Sequence, residues 1–144
     1  MAEDNCLFCR IVSGEVPATI VYEDEQSLAF LDHRPLFHGH TLLVPRVHVE
    51  TLGELPVSLV GPFFETAQLL SVAVQAGVGA EGTFVAMNNR VSQSVPHLHV
   101  HVVPRRKGDG LKGFFWPRTK YKNEEEMVAV KKLIAAEVKK IRSQ

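Results

Sequence analysis

The run His97-Leu98-His99-Val100-His101-Val102-Val103 alternates three imidazoles with aliphatic side chains, and that period of two is the signature of a strand. On a strand the spacing sends Leu98, Val100 and Val102 into a core and all three histidines to the opposite face. Pro96 removes a backbone donor just before the run, so full pairing is expected from His97 onward. Upstream, residues 19–22 and 28–31 read as strands around the turn-like Glu23-Asp24-Glu25-Gln26. Thr41-Leu42-Leu43-Val44, opened by Gly39 and stopped by Pro45, reads as a buried strand, and residues 82–87 as another. Between them, residues 55–78 repeat apolar side chains at helical spacing, including Leu59, Phe63, Ala67, Leu70 and Val74. Gly61-Pro62 marks a later start or a kink in that helix, and Gly77 and Gly79 close it. Asn123-Glu124-Glu125-Glu126 has the form of an N-cap before an amphipathic helix carrying Met127, Val130, Leu133, Ile134, Val138 and Ile141. These elements, without internal repeats, predict an α+β fold with an antiparallel sheet.

Imidazole titrates near neutrality, so it can act as base, acid, nucleophile or neutral metal ligand. Serine, threonine, lysine or glutamate would serve equally on a merely solvated strand face, so three histidines there call for chemistry. Two chemistries fit the spacing: a metal platform, and nucleophilic catalysis in which one ring attacks while its neighbours orient it and bind charge. The only cysteines sit in Cys6-Leu7-Phe8-Cys9, a spacing that suggests metal or redox chemistry rather than a structural disulfide. A redox pair would follow a strand at a helix start, and this one lies too near the amino terminus for that. Zinc would need two further ligands from His33, His38, His40, His48, His97, His99 and His101.

The 144 residues suit one domain with a real core. Sixteen basic against sixteen acidic residues leave a formal net charge of +0, so no global field favours nucleic acid or an acidic membrane as partner. Met1-Ala2-Glu3-Asp4-Asn5 lacks the basic start and apolar core of a secretory signal, and the apolar stretches read as too short and interrupted to span a bilayer. A cytoplasmic location is the expectation. Lys112, Phe114, Phe115, Trp116, Arg118, Lys120 and Lys122 mix aromatic and basic groups in a tail expected to pack on the body or on a partner subunit, the alternative being a reach toward a substrate's leaving group.

The triad run resembles the defining motif of the histidine triad (HIT) superfamily, His-φ-His-φ-His-φ-φ with φ hydrophobic. Cys6 to Ile11, Leu28 to Asp32, Gly39 to Pro45 and Gln93-Ser94-Val95 resemble family segments in the same order, spanning most of residues 5–104. The added Cys-x-x-Cys and Lys107-Gly108-Asp109-Gly110 are similar to the bacterial nucleotide-hydrolase branch. The resemblance implies a single HIT domain over 1–144, with a core at about 5–104 and a tail and helix at 105–144. Its fold would be an about five-stranded antiparallel sheet with one long central helix and a C-terminal helix. It further implies cleavage at the α-phosphate of purine nucleotide conjugates, such as nucleoside phosphoramidates or dinucleoside polyphosphates, through a covalent nucleotidyl-histidine. The alternative is a nucleotide-binding or interaction protein with incidental hydrolysis. Residue by residue, His99 would be the nucleophile, His101 would bind phosphate oxygens, and His40 would support the triad. Ser94 would serve the leaving group, Gln93 would lie beside the phosphate, and Asn88 would bind phosphate and ribose. Asp32 would accept from the ribose hydroxyls, and Phe8, Ile11 and Phe30 would line the base pocket. His33 replaces an aliphatic side chain beside the base, and Ser92 stands where the family often has glycine. Within the branch a structural zinc would take Cys6, Cys9, His48 and His97, leaving no catalytic metal required. The family commonly forms homodimers, so the implied partners are a small nucleotide substrate and a second copy, with no nucleic acid and no membrane.

Overall fold

A computed structural model describes residues 3–111 and 118–143, and the chain divides into two compact units, Met1–Asp109 and Gly110–Gln144. In the first unit, β1 (Ile20–Glu23), β2 (Ser27–Leu31), β3 (Thr41–Pro45), β4 (Gly82–Ala86) and β5 (Val100–Arg105) form one antiparallel sheet ordered β1-β2-β3-β5-β4. All five residues of the central β3 are buried, which is why its sequence after Thr41 is a continuous apolar run instead of alternating with polar positions. On one face Ala29, Leu43, Leu98, Val100 and Val102 pack with Phe63, Ala67 and Leu70 of α2 (Val57–Gly77). On the other, Leu28, Phe30, Leu42 and Val44 pack with Phe8 and Ile11 of α1 (Leu7–Val12). The register pairs Leu42 with His101, and so puts that imidazole on the α1 face.

The strand expected from His97 begins only at Val100. His97 and His99 lie in the extended lead-in, where the His97 N–H donates to the Val95 carbonyl (2.8 Å) and the Leu98 N–H to the Val49 carbonyl (2.7 Å). Continuing the β3–β5 register would bring Pro45 opposite Leu98, and proline has no N–H for the ladder. The alternation survives without the ladder, since Leu98 still enters the α2 core while His97 and His99 are buried among other partners.

Helix α2 begins at Val57 and runs through Gly61-Pro62. Pro62 sits in the second turn, where only one intrahelical N–H bond is forfeited, and its own carbonyl accepts from the Thr66 hydroxyl (3.1 Å). At 21 residues, α2 is by length and composition alone long and apolar enough to cross a bilayer, contrary to the expectation above. Its buried Phe63, Thr66, Ala67 and Leu70 cover the sheet instead. Helix α1, six residues long, had no periodicity to betray it, and neither did the 3₁₀ turn Leu52–Glu54. In the second unit, α3 (Glu124–Arg142) is capped by Asn123, whose side-chain oxygen accepts from the Glu126 N–H (2.8 Å). Three glutamates in its first turn and Lys139, Lys140 and Arg142 in its last complement the helix dipole. Lys112, Phe114, Phe115 and Trp116 of the aromatic tail lie outside the described residues.

Gly39, at the mouth of β3, has φ +105°, and a Cβ there would stand 2.9 Å from Val78 Cγ1. Gly39→Ala is expected to lower unfolding free energy by about 2 kcal/mol, read as a shift in the urea midpoint at unchanged slope.

Candidate functional site

Each triad ring has the proton on one nitrogen fixed by a neighbour. The His97 Nε2–H donates to the Pro45 carbonyl (2.9 Å), which leaves the Nδ1 lone pair facing Cys6 Sγ at 3.4 Å and Cys9 Sγ at 3.5 Å. His48 Nδ1 lies 3.2 Å from Cys9 Sγ. The α1 turn brings the thiols together: Cys6 is the N-cap, its sulfur accepting from the Cys9 N–H (3.4 Å), and Cys9 follows in the first turn. The ligand atoms of Cys6, Cys9, His48 and His97 all lie within 4.8 Å of one another. Tetrahedral zinc, with bonds of about 2.3 Å to sulfur and about 2.0 Å to nitrogen, needs donors roughly 3.3–3.8 Å apart, so the set fits that ion. Burial pushes His97 down to about 4, keeping it in the neutral form a ligand requires. Burial, with the Cys6 thiol adding to it, pushes Cys9 up to about 12, a penalty on the thiolate that a divalent cation reverses.

His99 is turned the other way. Its Nδ1–H donates to the His97 carbonyl (2.8 Å), so Nε2 carries the lone pair. The Phe8 ring meets it edge-on with centroids 5.1 Å apart, and Phe8 is itself seated on Phe30 at 5.4 Å. His101 Nδ1 lies 2.9 Å from His40 Nε2, and the Leu36 N–H donates to His40 Nδ1 (3.1 Å). Burial lowers His40 against the opposing pull of Asp32, whose Oδ2 stands 3.7 Å from Nε2. Burial also pushes His101 down to about 4, with His99 and His40 adding to the effect. Because the three rings engage the Pro45 carbonyl, the His97 carbonyl and His40, they do not converge on one metal ion.

His99 and His101 line a cavity of about 640 Å³. Leu7, Phe8, Ile11, Val16, Phe30 and Leu42 give it apolar walls, while Asp32, His33 and Ser94 are polar groups at its surface. The structure thus gathers His99, His101, Ser94, Asp32, His33, Phe8, Ile11 and Phe30 around one space, with His40 behind His101. Asn88 and Gln93 are not among the lining residues. The Gln93 amide donates to the Glu50 carbonyl (2.6 Å) and accepts from the Arg90 N–H (2.9 Å); the Asn88 amide donates to the Ser92 carbonyl (3.2 Å). These bonds clamp a loop in which Arg90 (φ 72°) and Ser92 (φ 60°) are both left-handed. Ser92 therefore keeps the backbone shape that glycine would adopt freely, at a cost in strain. Sequence reasoning missed the Pro45 carbonyl and the Leu36 N–H, because main-chain groups are the same in every residue.

Three histidines with individually fixed protons, two of them facing an apolar cavity and one belonging to a Cys₂His₂ cluster, define a histidine-triad protein. Residues 13–108 match the HIT domain, and the chain belongs to that family. It is 31% identical over 137 residues to the adenosine 5'-monophosphoramidase of Schizosaccharomyces pombe, covering 94% of this chain and 99% of that one. Among solved structures, a HIT family protein from Bacillus subtilis superposes with a TM-score of 0.81 at 32% identity, covering 92% of this chain and 96% of that one. A zinc-bound histidine triad family protein from Mycobacterium smegmatis does so with a TM-score of 0.71 at 37% identity, covering 93% and 99%.

The lowered value of His101 has a measurable sign. Between its ordinary 6.5 and about 4, the unfolded chain binds the proton and the folded chain does not, so stability falls as pH drops through that window. From pH 7 to pH 5 this group is expected to cost about 1 kcal/mol, discounted for water screening of a half-buried ring. His101→Gln, which cannot titrate, should show a correspondingly smaller acid-induced fall in melting temperature.

Proposed function

We propose that the chain, working as one HIT domain, is a nucleotidyl hydrolase that cleaves purine nucleoside phosphoramidates or dinucleoside polyphosphates at the α-phosphate. The observation that carries this reading is the His99 Nδ1–H bond to the His97 carbonyl. It places the Nδ1–H on the carbonyl and so the lone pair on Nε2, at a residue lining a cavity large enough for a nucleotide. Nε2 attacks phosphorus and the bond to the leaving group breaks. The departing atom takes a proton relayed from solvent through the Ser94 hydroxyl, which gives one proton as it receives another. Water then attacks the same phosphorus, the P–Nε2 bond breaks, and the water proton returns to solvent. His101 donates to the non-bridging oxygens as charge shifts onto them. Phe8, Ile11 and Phe30 suit the faces of a purine, and the Asp32 carboxylate suits ribose hydroxyls. The likeness to an adenosine 5'-monophosphoramidase supports a phosphoramidate among the substrates. The proposal extends to a cytoplasmic homodimer, for which β4 offers a sheet edge with Val85 exposed.

The same reading assigns a structural zinc to Cys6, Cys9, His48 and His97. When bound, the ion supplies a cross-link between α1 and the lead-in to β5, and all chemical steps belong to side chains of the cavity.

His99→Ala is expected to reduce turnover of adenosine phosphoramidate by about a thousandfold or more, while AMP affinity stays within about threefold. Detection by mass spectrometry of a nucleotidyl adduct in wild-type reactions quenched under alkaline conditions, where the acid-labile P–N bond survives, and its absence from the variant complete the test; retained turnover excludes the mechanism. For the metal, protein purified without chelator should carry about one equivalent of zinc, falling below about a tenth in Cys9→Ser by elemental analysis.

A further inference from the structure

We propose that the main-chain N–H of Leu36, acting through His40, decides which nitrogen of His101 carries its proton and so makes His101 a hydrogen-bond donor toward the cavity. A peptide N–H can only donate, so its 3.1 Å contact makes His40 Nδ1 the lone-pair nitrogen. Neutral His40 must then carry its proton on Nε2, which lies 2.9 Å from His101 Nδ1. That proton is given to His101 Nδ1, and the ring keeps its own on Nε2. The order of donors is therefore Leu36 N–H to His40, His40 Nε2–H to His101, and His101 Nε2–H to a ligand.

Among the described residues, no other hydrogen bond to either ring nitrogen of His40 competes for that order. Asp32 Oδ2 stands 3.7 Å from His40 Nε2, beyond hydrogen-bond reach, while Asp32 Oδ1 is occupied by the Arg34 N–H (3.0 Å). The His40 ring is 3% exposed, so bulk water does not supply a substitute donor at Nδ1. The Leu36 amide is held in place by a closed loop, in which the Asp32 N–H donates to the His40 carbonyl (2.9 Å) and the His40 N–H to the Phe37 carbonyl (3.0 Å). Asp32, His40 and His101 also gather three donor atoms within 4.8 Å, the outline of a cation site. The proton on His40 Nε2 commits that group to hydrogen bonding instead.

This deepens the proposed function and rests on it for its catalytic consequence. A His101 with the reverse tautomer would present a lone pair to phosphate oxygens and repel them; with Nε2–H outward it selects an anionic oxygen acceptor. Leu36 is thus a positioning residue that touches no ligand.

The test is nitrogen-15 NMR of histidine side chains in the full-length, zinc-loaded protein at neutral pH. Nε2–H is expected at both His40 and His101; Nδ1–H at either ring overturns the proposal. Three variants then probe the relay. Leu36→Pro deletes the N–H, His40→Met deletes the donor to His101, and His40→Gln keeps an amide donor. The Nδ1–H population of His101 should rise in the first two and stay low in the third. Phosphoramidate turnover should fall by about tenfold or more in the first two and by no more than about threefold in His40→Gln. A folded His40→Met protein whose His101 remains wholly Nε2–H would overturn the relay, whether or not Leu36→Pro folds. The spectra read proton placement without reference to turnover, so a wild-type chain lacking hydrolase activity would sink the proposed function and leave this inference to its own test.

Discussion

The hydrogen bond from His97 Nε2–H to the Pro45 carbonyl governs more of this molecule than its single length of 2.9 Å suggests. By taking the proton-bearing nitrogen, it turns the other nitrogen of His97 toward two thiols. The Leu98 N–H bond to the Val49 carbonyl holds the adjoining peptide and with it the His97 carbonyl, which in turn fixes the ring of His99. Pro45 is suited to its bond with His97 because it has no N–H to offer the neighbouring strand, so the ladder ends there and its carbonyl is available to a side chain. One proline thus ends a strand pair and orients the His97 ring toward the thiols.

The three imidazoles that look equivalent along the chain are made different by their second nitrogens. His97 has its lone pair on Nδ1, facing sulfur. His99 and His101 face the cavity, the first with a lone pair on Nε2 and the second behind a donor set by His40. Burial keeps His97 and His101 neutral near pH 7, so these roles do not depend on charge. Each tautomer is fixed by a main-chain group directly or at one remove, and the backbone is the part of the protein least able to drift.

Much of this was legible before the structure. The period of two in residues 97–103, the uninterrupted apolar run at 41–44 and the helical spacing over 55–78 located the sheet centre and its covering helix. Helix α1 was not legible, because six residues hold too few apolar positions to show a period, and its N-cap is a cysteine, a residue type seldom read as a cap. The residue set around the cavity was legible by type, but the orientation of Gln93 was not, since an amide that clamps its own loop looks the same in sequence as one that meets a ligand. Leu36 could not have been found from its side chain, which has no part in its role.

The contact between Cys6 and His97 joins residues 91 positions apart. During synthesis the α1 turn emerges well before the triad, and its sulfur atoms meet no histidine of the triad until about 90 further residues have followed. Phe8, on the same turn, likewise waits for His99. That turn is therefore made long before it can be locked against the triad, and until then two thiols and an aromatic ring remain open to the surroundings of the nascent chain.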